Sequence, residues 1–138
     1  MLKTRLLHPE ILDALGSNGH GAAILIADGN YPFSTCSPCE ARRVYLNFSP
    51  GLLSVMDVLP VLVDAIPFEG AHVMQPPDSQ VPDIHLEFKQ LLGDSFPITP
   101  LKRFEFYDRA KSNDTCLVIA TGEKRRFANI LLTIGVVK

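Results

Sequence analysis

The sequence has few cysteines, and their number is odd. Cys36, Cys39 and Cys116 cannot all pair with one another, which argues against the disulfide framework of a small secreted protein. Cys36-Ser37-Pro38-Cys39 has the spacing of a redox dithiol or of half a zinc site, but no second cysteine pair accompanies it, and Pro38 predicts a loop. We therefore expect ordinary loop and core thiols.

Blocks of charge are also absent. The 13 basic and 15 acidic residues are scattered, with a formal net charge of -2 and a pI near 6.0, so we expect no nucleic-acid partner and no anionic membrane surface. No apolar run approaches the roughly 18 residues of a membrane span. The basic start at Lys3 and Arg5 leads into His8, Pro9 and Glu10 rather than into the apolar core of a signal peptide. The sequence thus predicts a cytoplasmic protein.

A phosphate-binding glycine loop is missing as well. Gly19-His20-Gly21 precedes an apolar run, whereas a dinucleotide fingerprint follows a strand and opens a helix. His8 and His72 lack partner residues at the spacing of metal ligands. We therefore expect no cofactor and no metal.

What the chain does contain is enough apolar sequence for one core. A hydrophobic fraction of 46% over 138 residues, with no repeat or linker, predicts a single domain over 1–138. Alternating helical and extended patterns indicate an α/β layered fold with a mostly parallel central sheet flanked by helices. The predicted helices are a short one after Pro9, an apolar one over 54–66 that is kinked or restarted at Pro60, one from near Pro82 and one over 103–110; the predicted strands cover 22–27, 43–46, 71–74, 115–121 and 129–137.

His20 and Asp28 bracket the strand predicted at 22–27. Its uninterrupted apolar run is typical of a strand covered on both faces. Ligands of open α/β sheets gather where strands end, so this pattern outlines a site for a small polar molecule. His85, in contrast, falls off the apolar stripe of its helix and is predicted to be a solvated surface residue.

Several ordered motifs together resemble the D-ribose pyranase and L-fucose mutarotase family along nearly the whole chain. They are Gly19-His20-Gly21, Ala27-Asp28-Gly29-Asn30-Tyr31-Pro32, Arg103-Phe104-Glu105-Phe106-Tyr107-Asp108-Arg109-Ala110, Thr121-Gly122-Glu123, and Asn129-Ile130-Leu131-Leu132 with Gly135-Val136. The resemblance implies a cofactor-free isomerase that interconverts cyclic forms of a free monosaccharide. It also implies cytoplasmic homo-oligomers, often decameric, with sites at subunit contacts.

Carried over residue by residue, the resemblance makes His20 the catalytic acid and base, and it gives Asp28, Arg103 and Asn129 contacts with sugar hydroxyls. An arginine at position 103 resembles the fucose branch, so the implied substrate is L-fucose, with D-ribose pyranase activity as the alternative. Phe127 departs from the family, which usually has tyrosine there, so a ring can still line the sugar while a hydroxyl contact is lost. That departure keeps open a second class of function, a non-catalytic sugar-binding oligomer.

Elementary chemistry is compatible with this assignment. Exchange of anomers needs a proton on the ring oxygen and removal of the proton of the anomeric hydroxyl, and an imidazole can do both near neutral pH. A fully extended strand over 22–27 would separate His20 and Asp28 by roughly 20 Å or more. Either the strand is shorter and the loop folds His20 back, or a neighbouring subunit supplies part of the site. Tyr107 and Glu123 stay unassigned, since packing or capping explains each equally well.

Overall fold

Four helices and six strands follow one another in the computed structural model, which describes residues 1–138. The helices are α1 (Pro9–Ser17), α2 (Val55–Ala65), α3 (Asp83–Leu92) and α4 (Arg103–Ala110). The strands are β1 (Ala23–Ala27), β2 (Arg42–Tyr45), β3 (Phe68–Met74), β4 (Ile98–Leu101), β5 (Thr115–Ala120) and β6 (Ile130–Ile134). None of the four helices combines the length and the apolar character that crossing a bilayer requires.

All six strands form one sheet in the order β2-β5-β1-β6-β3-β4. β1 and β2 pair in parallel with β5, β3 pairs in parallel with β4, and β6 runs antiparallel between β1 and β3. The prediction of a mostly parallel sheet is therefore confirmed. Five strands end on one side, which we call the carboxyl edge and which includes Asp28, Gln75 and Thr121; the amino edge, where those strands begin, includes Ala22 and Pro67.

β1 lies at the centre of the sheet, and its side chains alternate between two apolar cores. Ile24 and Ile26 face the larger core, which α1, α2 and α3 cover. Leu25 faces the smaller core, which Tyr31 and Phe106 of α4 cover. All five β1 residues are buried, and each fully buried large apolar side chain contributes roughly 1.5–3 kcal/mol. This strand therefore fixes the positions of the residues at its two ends.

The sequence patterns missed β4, a short strand over Ile98–Leu101 that pairs with β3. Pro100 argues against a strand because it cannot donate to a ladder hydrogen bond. β4 is the outermost strand, where one side of the backbone needs no partner, and proline is tolerated there. Two boundaries also differ, since β3 begins three residues before Ala71, at Phe68, and β6 ends at Ile134.

A single helix, α2, runs through Pro60, so of the two predicted alternatives, a kinked or a restarted helix, the restarted one is excluded. Ser54 and Asp57 form a capping box in which the Ser54 hydroxyl accepts from the Asp57 N–H at 3.1 Å and the Asp57 carboxylate accepts from the Ser54 N–H at 2.8 Å. Leu59 and Leu62 are fully buried against the sheet. Packing and capping thus offset the hydrogen bond that proline cannot make.

Candidate active site

A cleft of about 330 Å³ opens at the carboxyl edge, where the ends of β1 and β3 and the start of β6 meet α4. Polar side chains and aromatic rings share its wall, among them Asp28, Arg103, Tyr107, Arg126, Phe127 and Asn129. One chain therefore brings together four of the five residues that the sequence predicts for the site. The fifth, His20, does not line this cleft.

The Asp28 carboxylate is held by backbone groups from two loops. Its Oδ1 accepts from the N–H of Asn30 at 3.0 Å, and its Oδ2 accepts from the N–H of Ala128 at 3.2 Å. Burial raises the pKa of the Asp28 carboxyl above its ordinary value, while these two N–H groups act in the opposite direction. Each carboxylate oxygen keeps a lone pair beyond these bonds, so Asp28 can still accept from a ligand hydroxyl.

Asn129 is tied to the end of β1. Its Oδ1 accepts from the backbone N–H of Asp28 at 2.7 Å, and both residues are buried. The amide Nδ2 of Asn129 makes no hydrogen bond within the chain, and the side chain lines the cleft. Because the oxygen is already engaged, Asn129 is oriented to present its NH₂ group as a donor.

Arg103, the first residue of α4, packs against the ring of Tyr107. Its Nε donates to the Tyr107 hydroxyl at 3.0 Å, one helical turn further on, and its guanidinium carbon lies 5.5 Å from the centre of the Tyr107 ring. Tyr107 packs edge-on against Tyr31 with ring centres 5.5 Å apart. Tyr107, unassigned from sequence, is thus part of the cleft, and the terminal nitrogens of Arg103 stay free to donate.

Phe127 has a left-handed backbone conformation with φ 59°, which a non-glycine residue seldom adopts. The His85 Nε2 lies 2.8 Å from its carbonyl oxygen, and because a carbonyl only accepts, Nε2 carries the proton. Burial lowers the pKa of His85, although this hydrogen bond acts in the opposite direction. The prediction that His85 is a solvated surface residue is therefore wrong. Helical periodicity describes one helix only, and His85 is covered by a loop from a distant part of the chain.

His20 lies at the amino edge, at the opposite end of β1 from Asp28. Its Nε2 is 2.9 Å from the Glu69 Oε2 at the start of β3, and its side chain is 58% exposed. The neighbouring Gly21, with φ 85°, donates its N–H to the carbonyl of Ile134 at the end of β6. The five residues of β6 separate the two edges by roughly 17 Å. Within one chain, then, His20 is not folded back toward Asp28.

Glu123, also unassigned from sequence, connects the loop before β6 to the start of α2 at the carboxyl edge. Its carboxylate accepts from the Arg125 side chain at 3.0 Å through both Nε and a terminal nitrogen, and from the N–H of Val55 at the start of α2 at 3.3 Å. Burial favours a higher pKa for Glu123, but the bonds from Arg125 outweigh it and hold that pKa below the ordinary value. The Arg125–Glu123 pair fixes the loop that carries Arg126 and Phe127.

A second cleft, of about 430 Å³, lies beside the first at the ends of β1, β2 and β5. Asn30 lines both clefts, and the wall of the second is otherwise polar, with Asn47, Thr121 and Lys124. It contains no aromatic ring and none of the residues predicted for the site, so we assign the site to the first cleft. The three cysteines are free, and nowhere do three or more metal-ligating side chains converge.

The fold and the first cleft define a class of protein: a small α/β protein whose polar and aromatic groups line a cleft large enough for a small polar molecule. The chain belongs to the RbsD / FucU transport protein family, whose model matches residues 1–137. The resemblance noted from the motifs is thereby confirmed.

Relatives and solved structures agree with this membership. The chain is 34% identical to the fucose mutarotase of Mus musculus and 33% identical to that of Homo sapiens, in each case over 146 residues, 95% of this chain and 90% of the relative. It resembles the structure of Bacillus subtilis RbsD complexed with D-ribose, with a TM-score of 0.86 and 26% identity over 100% of both chains. It also resembles the Streptococcus pneumoniae fucose mutarotase in complex with L-fucose, with a TM-score of 0.83 and 28% identity over 99% of this chain and 100% of that one. The protein is accordingly an isomerase, a mutarotase that interconverts sugar anomers.

Proposed function

We propose that this protein exchanges the anomers of L-fucose in the cleft at the carboxyl edge, with His20 of a neighbouring subunit as the proton shuttle. The observation that carries the proposal is the division of the site: Asp28, Arg103 and Asn129 converge in one cleft, whereas His20 lies at the far end of β1, exposed and paired with Glu69. The proposed proton shuttle, His20, is therefore absent from the cleft of its own chain.

The chemistry requires two proton transfers. His20 removes the proton of the anomeric hydroxyl and delivers it to the ring oxygen, so the bond between the anomeric carbon and the ring oxygen breaks and an aldehyde forms. Rotation about the adjacent carbon–carbon bond and the reverse transfers close the ring with the other configuration. His20 can serve in both directions, and general acid–base help of this kind is worth about 10² to 10⁴ in rate.

The cleft residues have complementary roles in holding the sugar. Asp28 accepts from hydroxyls, and Asn129 and Arg103 donate to them. The rings of Tyr107 and Phe127 offer apolar surface to the carbon face of the sugar. All of these groups act on the parts of the ligand that do not react, so they serve to orient the anomeric centre toward the imidazole.

A homo-oligomer follows from the same division. If the amino edge of one subunit meets the cleft of the next, each interface contains one complete site, and a ring such as a decamer would repeat that contact. Glu69 then has a direct use, because its carboxylate, 2.9 Å from the Nε2 of His20, orients the imidazole. The cytoplasmic location stays a prediction, which imaging of the tagged full-length chain would test.

The choice of L-fucose depends on Arg103 and on the fucose mutarotase relatives. D-ribose is the second candidate, because the B. subtilis RbsD bound to D-ribose has a TM-score of 0.86 with this chain. A non-catalytic sugar-binding protein is the third. It is favoured by Phe127, which lacks the hydroxyl that the family usually provides at this position.

Saturation-transfer proton NMR on equilibrated L-fucose and D-ribose tests the proposal. We expect wild-type protein to accelerate exchange between the anomers of L-fucose more than between the cyclic forms of D-ribose. His20→Ala should bind the sugar with similar affinity and lose the acceleration. Acceleration of D-ribose alone would favour the second candidate, and binding of sugar without acceleration of either one would favour the third.

A further inference from the structure

The peptide group between Phe127 and Ala128 is held from both sides. Its carbonyl oxygen accepts from the His85 Nε2 at 2.8 Å, and its N–H donates to the Asp28 Oδ2 at 3.2 Å. A trans peptide is planar, and its C=O and N–H point in opposite directions. The orientation that satisfies His85 is therefore the one that directs the Ala128 N–H at Asp28.

The residue before this peptide bond, Phe127, has a left-handed backbone conformation with a φ of 59°. A left-handed conformation costs a non-glycine residue on the order of 1 kcal/mol or more and persists where its surroundings determine it. Rotation of the 127–128 peptide plane changes ψ of Phe127 and φ of Ala128, and without the His85 donor the carbonyl loses the hydrogen bond that opposes this rotation. The same rotation turns the Ala128 N–H away from the carboxylate.

His85 is itself fixed in place. Its ring stacks on that of Phe88, one turn further along α3, with centres 5.9 Å apart and an interplanar angle of 21°. Two residues after His85, Glu87 binds the Arg125 side chain at 2.9 Å. α3 thus holds the loop before β6 at two points, although neither His85 nor Glu87 lines the sugar cleft.

We propose that His85 is a positioning residue of the sugar site, which acts through the Phe127–Ala128 peptide group on the carboxylate of Asp28. The hydrogen bond to the carbonyl also polarises the peptide and makes its N–H a stronger donor to Asp28. The Phe127 ring is attached to the same backbone unit, so His85 sets its position in the cleft as well. This inference rests on the proposed function only in naming the ligand as a sugar.

Two substitutions of His85 by amide side chains distinguish the role of its hydrogen bond from that of its volume. The Nε2 of glutamine is three bonds from Cβ, like the Nε2 of histidine, whereas the Nδ2 of asparagine is only two bonds away and falls short of the carbonyl. We expect His85→Gln to keep kcat/KM close to wild type and His85→Asn to lose about tenfold or more, mainly through KM, because the sugar-binding groups lose their alignment. Equal activity of both variants with the wild type, or equal loss in both, would overturn the proposal.

Leu92→Ala is the matched control, since Leu92 is partly buried on the same helix and makes no hydrogen bond to the loop. It should lower the melting temperature without raising KM. Hydrogen exchange of the Ala128 amide is a readout that needs no activity: the amide should be protected in wild type and His85→Gln and exchange faster in His85→Asn. That pattern would support the proposal even if wild-type protein accelerated neither sugar. Unchanged protection in His85→Asn would refute it.

Discussion

The side chains at the two ends of β1 differ in how firmly a single chain holds them in position. At the carboxyl edge, Asp28 and Asn129 are each 97% buried, with every carboxylate and amide oxygen bonded to a backbone N–H. At the amino edge, His20 and Glu69 are about half exposed and bond only to each other. The first end carries buried groups that are already fixed in position, whereas the second carries an exposed pair beside a cleft of about 420 Å³ that Glu69, His72 and Arg109 line.

The proposed function accounts for this difference as a separation of sugar binding from proton transfer. Groups that orient a sugar lose less entropy on binding when they are already fixed, and burial among backbone donors fixes them. An exposed ion pair contributes little to the stability of one chain, usually 0–1 kcal/mol, so His20 and Glu69 are poorly explained by folding alone. Their presence at the amino edge is explained if a second subunit brings its cleft to them.

Mixing two inactive variants tests most directly whether the groups at the two ends of β1 form one site between two chains. His20→Ala and Asp28→Ala should each lose about 10² or more in kcat/KM, because each removes one half of every site. If the halves come from different chains, oligomers that are denatured and refolded together should regain about a quarter of wild-type activity, since random assembly gives that share of intact pairs. Saturation-transfer NMR on the mixture measures it. No recovery after verified co-assembly would show that each chain makes its own complete site.

Glu123→Gln tests the rigidity of the carboxyl edge. Removing the charge weakens the bonds to Arg125 and to the start of α2, and we expect the free energy of unfolding at pH 7 to fall by about 2 kcal/mol. The folded-state pKa of Glu123 is depressed, so this stabilisation is present above its unfolded value and is lost as the pH falls through the folded one. Urea titrations at pH 7 and at pH 3 should therefore show a smaller difference between the proteins at pH 3. A difference that is the same at both pH values would contradict the role of the charge.

Glu69→Gln tests the amino edge alone. The amide can still hydrogen bond to His20, but a neutral partner holds the imidazole less firmly than a carboxylate does, so kcat should fall by about tenfold, which corresponds to about 1.4 kcal/mol in the barrier. KM and the melting temperature should change little, because the pair is exposed and remote from the cleft of its own chain. Steady-state kinetics and thermal unfolding provide the two measurements. A rise in KM at constant kcat would instead make Glu69 a sugar ligand.

Phe127→Tyr has the smallest expected effect and tests how the residues at the carboxyl edge bind the sugar. A phenolic hydroxyl in the cleft adds one hydrogen bond to the sugar, worth about 1 kcal/mol, and should lower KM by roughly fivefold at constant kcat. The left-handed backbone conformation is as costly for tyrosine as for phenylalanine, so the melting temperature should not change. Titration of L-fucose by calorimetry checks the affinity. An unchanged affinity would mean that the hydroxyl points away from the sugar.

Much of the binding half could be predicted from sequence, because it depends on local signals and ordered motifs. The apolar run before Asp28 predicts a buried strand, and the end of a buried strand in an α/β sheet is where a ligand is expected. The loop around Asn129 and the start of α4 at Arg103 were placed in the site only by resemblance. The distance argument from strand length left two alternatives open, and the structure places His20 and Asp28 at opposite ends of β1.

Other contacts could not be predicted, since they join segments far apart in the chain. His85 and the carbonyl of Phe127 are 42 residues apart, and the bond involves a backbone group, so no side-chain pattern marks it. Glu69 lies 49 residues from His20, in a strand whose start was predicted too late. Pro100 concealed β4 because the tolerance of proline depends on being at the edge of the sheet.

The sequence by itself determined the α/β class, the buried central strand and the chemical types at its two ends, since hydrophobic periodicity and turn chemistry act over a few residues. Only the tertiary structure decided which groups meet: Asp28 with the loop before β6, that loop with His85, and His20 with Glu69. The physical reason is that hydrogen bonds and ion pairs act over about 3 Å. The order of strands in the sheet, which brings distant segments within that range, is set by the packing of the whole core.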